Sequence, residues 1–236
     1  GRNFKVIVNE IFKSTIYRII GFVDENINDD FIIIKQKKIF NRNKDLKKII
    51  KLNKAKGLAT IGDNYIRKKI YIQASKINKK FKWEKLVSKN SVIDKNVTIG
   101  QGSIIMPGVI INCYSEIGEM CLINTGSVIE HDNIFKNFTS TGPGVTTSGN
   151  VIVNELSHLG TASVTIHNII VGKNTILGAN SLATKNLHDN SVYIGKQAGW
   201  GGTTSTSLVQ DGNTGVGSFT LRNISSGDNN TALGTI

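Results

Sequence analysis

The chain has 236 residues, with 29 Lys and Arg against 17 Asp and Glu for a formal charge of +12, and 24 Gly beside two Pro and two Cys. Its 39% hydrophobic content can bury a core, which excludes a wholly disordered polycation, and Cys113 and Cys121 are too few for a disulfide scaffold. There is no apolar leader and no run of about 18 apolar residues, so the expected setting is cytoplasmic with no membrane span.

Charge and composition divide the chain into residues 1–88, 89–198 and 199–236. Residues 1–90 hold 23 Lys/Arg and 8 Asp/Glu, residues 91–198 hold 5 and 7, and residues 199–236 hold 1 and 2. A nucleic-acid surface calls for a basic stripe with interleaved aromatics. Here the lysines crowd into one segment, so no nucleic-acid partner is expected.

In the first segment, Phe4 to Ile16 has mostly helical spacing, and Arg18 to Glu25 reads as a buried strand ending in acids. Leu58–Gly62 reads as a second strand, Asp63 to about Lys79 as a helix, and Trp83–Val87 as a last strand. Alternating strand and helix predicts a small parallel α/β layer of Rossmann-like type.

The middle segment repeats every six residues. From Ile93 through Ala183 the sixteen positions at this spacing include eleven Ile, Val or Leu, and the position two before each is small or β-branched except at Asn133. A helix repeats at 3.6 and a strand at 2, so neither explains it. A parallel β-helix does: three hexapeptides make one triangular turn of 18 residues, and the sixteen give roughly five turns. The residue after the aliphatic is often Gly, Asn or Asp, which suits a bend with positive φ.

This pattern resembles the hexapeptide-repeat acyltransferases, whose coil is left-handed. The stretches Gly21–Glu25, Ile61–Tyr71 and Ile129-Glu130-His131-Asp132 narrow the resemblance to the PglD/NeuD-like sugar acetyltransferases. That family opens with a strand and a Gly-rich turn ending in Gly-His. Gly1-Arg2-Asn3 aligns with the end of that turn, so the first domain reads as N-terminally truncated, with few loop amides left to cradle a pyrophosphate. The resemblance implies a homotrimer with active sites between subunits, acetyl-CoA as acyl donor and a UDP-amino sugar as acceptor.

His131 is the candidate base, flanked by Glu130 and Asp132. Residues 18 apart stack on successive turns, which places Gly149 above His131. By resemblance Asp132 is the base's partner, the Gly149 N–H faces the thioester oxygen, and Asn124 contacts the amino sugar. Read alone, His131 is rather a solvated surface histidine, Gly149 equally a corner glycine, and Asn124 at least as readily a corner Asn. A second family histidine is replaced by Ser140, with His158 stacked 18 residues beyond it, and this pair is the candidate lining of the acetyl end. Gly160 and Gly178 share a stack and either admit the pantetheine arm or simply satisfy corners. Asp24, Glu25, Gly62, Asp63 and Asn64 are the nucleotide-side candidates, each of which, read alone, is rather a turn or cap residue. No His/Cys/Asp/Glu spacing resembles a metal site.

In the tail, Asn213-Thr214-Gly215-Val216-Gly217 recurs loosely as Asn230-Thr231-Ala232-Leu233-Gly234, like the repeats of trimeric adhesin heads or fibres. A linker, a trimer-extending β-layer and the start of a further domain all stay open. The leading function is N-acetylation of a nucleotide-linked amino sugar, with a UDP-4-amino-4,6-dideoxy sugar as the expected acceptor. The rivals are O-acetylation of a sialic-acid-like sugar and a non-catalytic trimeric β-fibre module.

Overall fold

The computed structural model describes residues 55–194 together with residues 7, 19, 21–24, 38–41, 47–51, 214–216 and 231–233. It is mainly β, a left-handed parallel β-helix of about six turns. Two-residue strands alternate among three flat faces. Face one runs from Leu86–Val87 through Ile104–Ile105, Leu122–Ile123, Ser140–Thr141, His158–Leu159 and Ile176–Leu177 to Val192–Ile194. Face two runs from Val92–Ile93 to Leu182–Ala183, and face three from Thr98–Ile99 to Ile170–Val171.

The register is that of the hexapeptide count, with Leu122 opposite Ser140 and Ser140 opposite His158. Only the last turn shortens, where Ile176 pairs with Val192. Inward positions stack as aliphatic columns; Ile117, Phe135 and Val153 on face three are buried to 2% exposure or less. Ser103, Ser115, Ser127, Ser157 and Thr175 sit fully buried at the corners. A small hydroxyl suits this place because it reaches the carbonyl of the next turn, as Ser103 Oγ does to Gly118 O at 2.7 Å.

Corner geometry differs from the sequence expectation. From Ile99 to Leu177, positive φ falls on the third residue after the inward position, as at Met120, Asp132, Phe138 and Asn150, and not on the first. The glycines directly after the inward residue have another cause: a Cβ on Gly142 would lie 2.4 Å from Thr161 N, and one on Gly160 2.6 Å from Ala179 N. Backbone of the next turn fills that space.

Before the coil, the described strands are Gly21–Asp24 paired in parallel with Lys38–Asn41, and Lys56–Gly57 paired in parallel with Lys82–Trp83. The strand expected at Leu58–Gly62 lies earlier, at Lys56–Gly57, and the one expected over Trp83–Val87 is split in two. Its second half, Leu86–Val87, is already the first rung of face one, so the coil begins before residue 89. The helical stretch expected over 4–16 lies outside the described residues except for Ile7.

The helix Asn64–Ile77 matches expectation. Asp63 caps it by accepting from Ile66 N at 2.8 Å, and it ends at Asn78. Ile70, Tyr71, Ala74 and Ile77 share one face and pack against Trp83, Met120, Phe138 and Leu156. Met120, Phe138 and Leu156 are 18 residues apart, so this helix lies along the edge between faces three and one and spans three turns. No helix among the described residues is long and apolar enough to cross a membrane.

Past the closing strand, 214–216 and 231–233 add two parallel strands to face one, with Thr214 opposite Thr231 and Val216 opposite Leu233. The loose sequence repeat of the tail is thus also a structural register.

Candidate active site

His131 and Asp132 occupy the edge between faces two and three, directly after Val128–Ile129. Nδ1 of His131 lies 2.7 Å from Oδ2 of Asp132, with both side chains about half exposed. Asp132 adopts φ 59°, a left-handed conformation that Asp tolerates better than most residues, and this turns its carboxylate back on the ring. Gly149 stacks above, as the 18-residue spacing predicts: a Cβ there would stand 2.6 Å from Cε1 and 2.7 Å from Nε2 of His131. With Nδ1 held by the carboxylate, Nε2 is the nitrogen left to exchange a proton with a bound molecule.

Beneath this edge lies a residue that sequence reasoning left without a role. Asn133 is fully buried, and its amide donates to Glu130 O, His131 O and Ser148 O at 2.6, 3.1 and 2.9 Å. It ties the turn carrying His131 to the turn carrying Gly149. The signal was present, since Asn133 alone breaks the run of small or β-branched residues in its column.

A second constellation forms on face one. Oγ of Ser140 and Nδ1 of His158 are 2.8 Å apart, and burial, the largest effect, pushes the His158 pKa down; hydrogen bonding from Ser140 opposes this, and the Arg67 charge adds a smaller push in the same direction as burial. The imidazole therefore favours its neutral form. The pair lines a groove of about 530 Å³ together with Asn124, Gly62, Asp63, Asn64 and Tyr65. The structure thus gathers Asn124, the Ser140–His158 pair and the nucleotide-side candidates Gly62, Asp63 and Asn64 around one space. His131 and Gly149 do not line it, because their edge adjoins the other two faces.

Several candidates carry a structural duty. Asp63 is the helix cap, and Asn64 donates its amide to Leu156 O and Ser157 O at 3.0 Å each, fixing the helix to the coil. Asn124 uses its carbonyl oxygen to accept from Thr125 N at 2.8 Å. At Gly160 and Gly178 the next turn of the chain occupies the space a side chain would need, which accounts for both glycines without an acyl carrier. Asp24 is described only as the end of a strand, and Glu25 lies outside the described residues. Among the described residues no group of three His, Cys, Asp or Glu could hold a metal ion.

The fold matches that of a mutant perosamine N-acetyltransferase from Caulobacter crescentus, solved in complex with CoA and GDP-perosamine. The TM-score is 0.74 at 25% identity, over 82% of this chain and 89% of that one. The acetyltransferase domain of PglB from Neisseria gonorrhoeae FA1090 has the same fold, with TM-score 0.73 at 23% identity over 81% of this chain and 91% of that one. In sequence, 90 residues are 30% identical to GDP-perosamine N-acetyltransferase of Escherichia coli O157:H7, a stretch covering 38% of this chain and 40% of that relative. No protein-family model matches the chain.

Proposed function

We propose that this chain is an acetyl-CoA-dependent N-acetyltransferase that acts on the amine of a nucleotide-linked amino sugar. The observation that carries the reading is the His131–Asp132 pair at 2.7 Å with Gly149 against the ring. The likeness to perosamine N-acetyltransferase, in fold and at 25% identity, supports it. The sugar amine bonds to the thioester carbonyl carbon, the C–S bond breaks, and CoA leaves as the thiol. His131 takes the proton that the amine loses and passes it to the departing sulfur, and Asp132 holds the imidazole in place for both transfers. The Gly149 N–H faces the carbonyl oxygen as negative charge builds there.

His131 and the groove lie on different parts of one prism, so they meet only between copies. Around a three-fold axis the His131 edge of one copy faces the groove of its neighbour, and the enzyme is a homotrimer. Outward positions on face two favour such packing: Val92, Ile110, Val128, Val164 and Leu182 form a column that is apolar except at Thr146, with Val92 66% exposed in the single chain. Ser140, His158 and Asn124 line the acyl and acceptor end, and the nucleotide lies towards Gly62. The sequence resemblance favours a UDP-linked sugar, whereas the Caulobacter enzyme was solved with GDP-perosamine and the Escherichia coli relative is a GDP-perosamine N-acetyltransferase.

Incubation of the chain with acetyl-CoA and a panel of UDP- and GDP-linked amino sugars, with free sialic acid as the hydroxyl acceptor, tests this through thiol release. An amino sugar should support release, and His131→Ala should slow it about 10²–10⁴-fold. Release only with sialic acid would establish O-acetylation. Absence of release with every acceptor would favour the β-fibre reading, for which the tail strands on face one speak.

A further inference from the structure

One buried cation stands behind the groove. Arg67, on the first turns of the helix, is 1% exposed, and no carboxylate pairs with its guanidinium among the described residues. Its partners are instead six oxygens from two sides. Nη1 donates to Ile61 O and Gly62 O at 2.9 and 3.1 Å, in the loop before the helix. Nε donates to Met120 O at 2.7 Å, and Nη2 to Thr139 O at 3.1 Å and Phe138 O at 3.4 Å, on two successive turns of the coil. Nη2 also reaches Asn64 Oδ1 at 2.7 Å.

Two anchor points, one direct and one through Asn64, matter for the groove. Thr139 immediately precedes Ser140, and Arg67 holds its carbonyl. Ser157 immediately precedes His158, and Asn64, itself held by Arg67, donates to that carbonyl at 3.0 Å. Each member of the Ser140–His158 pair is thus fixed through the peptide just before it, while the same guanidinium fixes the opposite wall at Ile61 and Gly62.

We propose that Arg67 is the positioning residue of the groove, setting the separation of the 61–64 loop from the Ser140–His158 pair. Only a planar fork with five N–H donors reaches both walls together; a lysine in its place offers three donors from one atom. Burial lowers the Arg67 pKa to about 10, so the side chain stays charged at neutral pH. That charge also disfavours protonation of His158. The consequence for turnover rests on the acyltransferase reading, while the placement of the two walls does not.

The test compares Arg67→Lys, Arg67→Gln and Asn64→Ala in the full chain. Amide hydrogen exchange over residues 58–66 should speed up about 10-fold or more in both Arg67 variants and less in Asn64→Ala, with exchange in the coil at 104–109 unchanged. The His158 imidazole, followed by NMR, should titrate at higher pH in Arg67→Gln, where the charge is gone, and stay near its wild-type midpoint in Arg67→Lys. Unchanged loop exchange would overturn the proposal, as would equal loosening of loop and coil. If neither Arg67 variant folds, Asn64→Ala alone decides by the same exchange criterion. Neither readout depends on acetyl transfer, so an inactive wild type would overturn the function without touching this inference.

Discussion

Gly142 and Gly149 look alike in sequence, each near a corner of the repeat, yet they meet different neighbours. A Cβ on Gly142 would strike backbone, 2.4 Å from Thr161 N, whereas one on Gly149 would strike only the exposed ring of His131 at 2.6 Å. Backbone cannot yield without shifting a turn, but an imidazole can swing aside. Gly142→Ala should therefore cost about 1–3 kcal/mol of stability. Gly149→Ala should leave the denaturation midpoint nearly unchanged while lowering kcat, since the ring loses its place beside Asp132. Urea unfolding and steady-state kinetics on the two variants measure both outcomes, and an unaltered kcat in Gly149→Ala would separate this glycine from the chemistry. His131 stood out in the sequence through its flanking acids, and Gly149 through the 18-residue spacing. Asn133 was visible only as an irregularity, because its meaning lies in carbonyls that the fold brings to it.

At the scale of elements, the coil and the helix are held by different means. The coil rests on side chains that face their own counterparts one turn away, so its stability is concentrated in the inward columns. Phe135, 1% exposed between Ile117 and Val153, is the largest apolar side chain of its column. Phe135→Ala should cost about 3–5 kcal/mol in thermal or chemical unfolding, and a cost below 1 kcal/mol would mean that the column collapses to fill the space. The helix adds a polar stripe to its apolar face: Asn64, Lys68 and Tyr71 meet Leu156 O, Glu155 and Glu119, and Arg67 meets both Met120 O and Thr139 O, so that three turns are held. Its existence and ends were legible from Asp63 and the apolar spacing. Its docking was not, because Arg67 among lysines reads as one more solvated charge.

For the whole molecule, the proposed function requires an assembly, because His131 and the groove lie on different parts of one chain. The wild-type chain should sediment at three times its 25.7 kDa mass. Val128→Glu, placed in the outward apolar column of face two, should yield monomers that keep the far-UV spectrum of the coil and lose activity, since burying an unpaired carboxylate costs several kcal/mol. A trimeric Val128→Glu protein would show that face two lies outside the contact.

The sequence by itself determined the coil, its 18-residue turn and the stacking of Gly149 on His131, because in a parallel β-helix each residue's main neighbours are its own repeats at fixed separation. Tertiary structure decided what the period cannot encode. Gly62 to Tyr65 come to rest beside Ser140 and His158, and Arg67 binds carbonyls 53 and 72 residues away. Those contacts form because a helix outside the repeat is laid along one edge of the prism, and no spacing within the repeat specifies which edge.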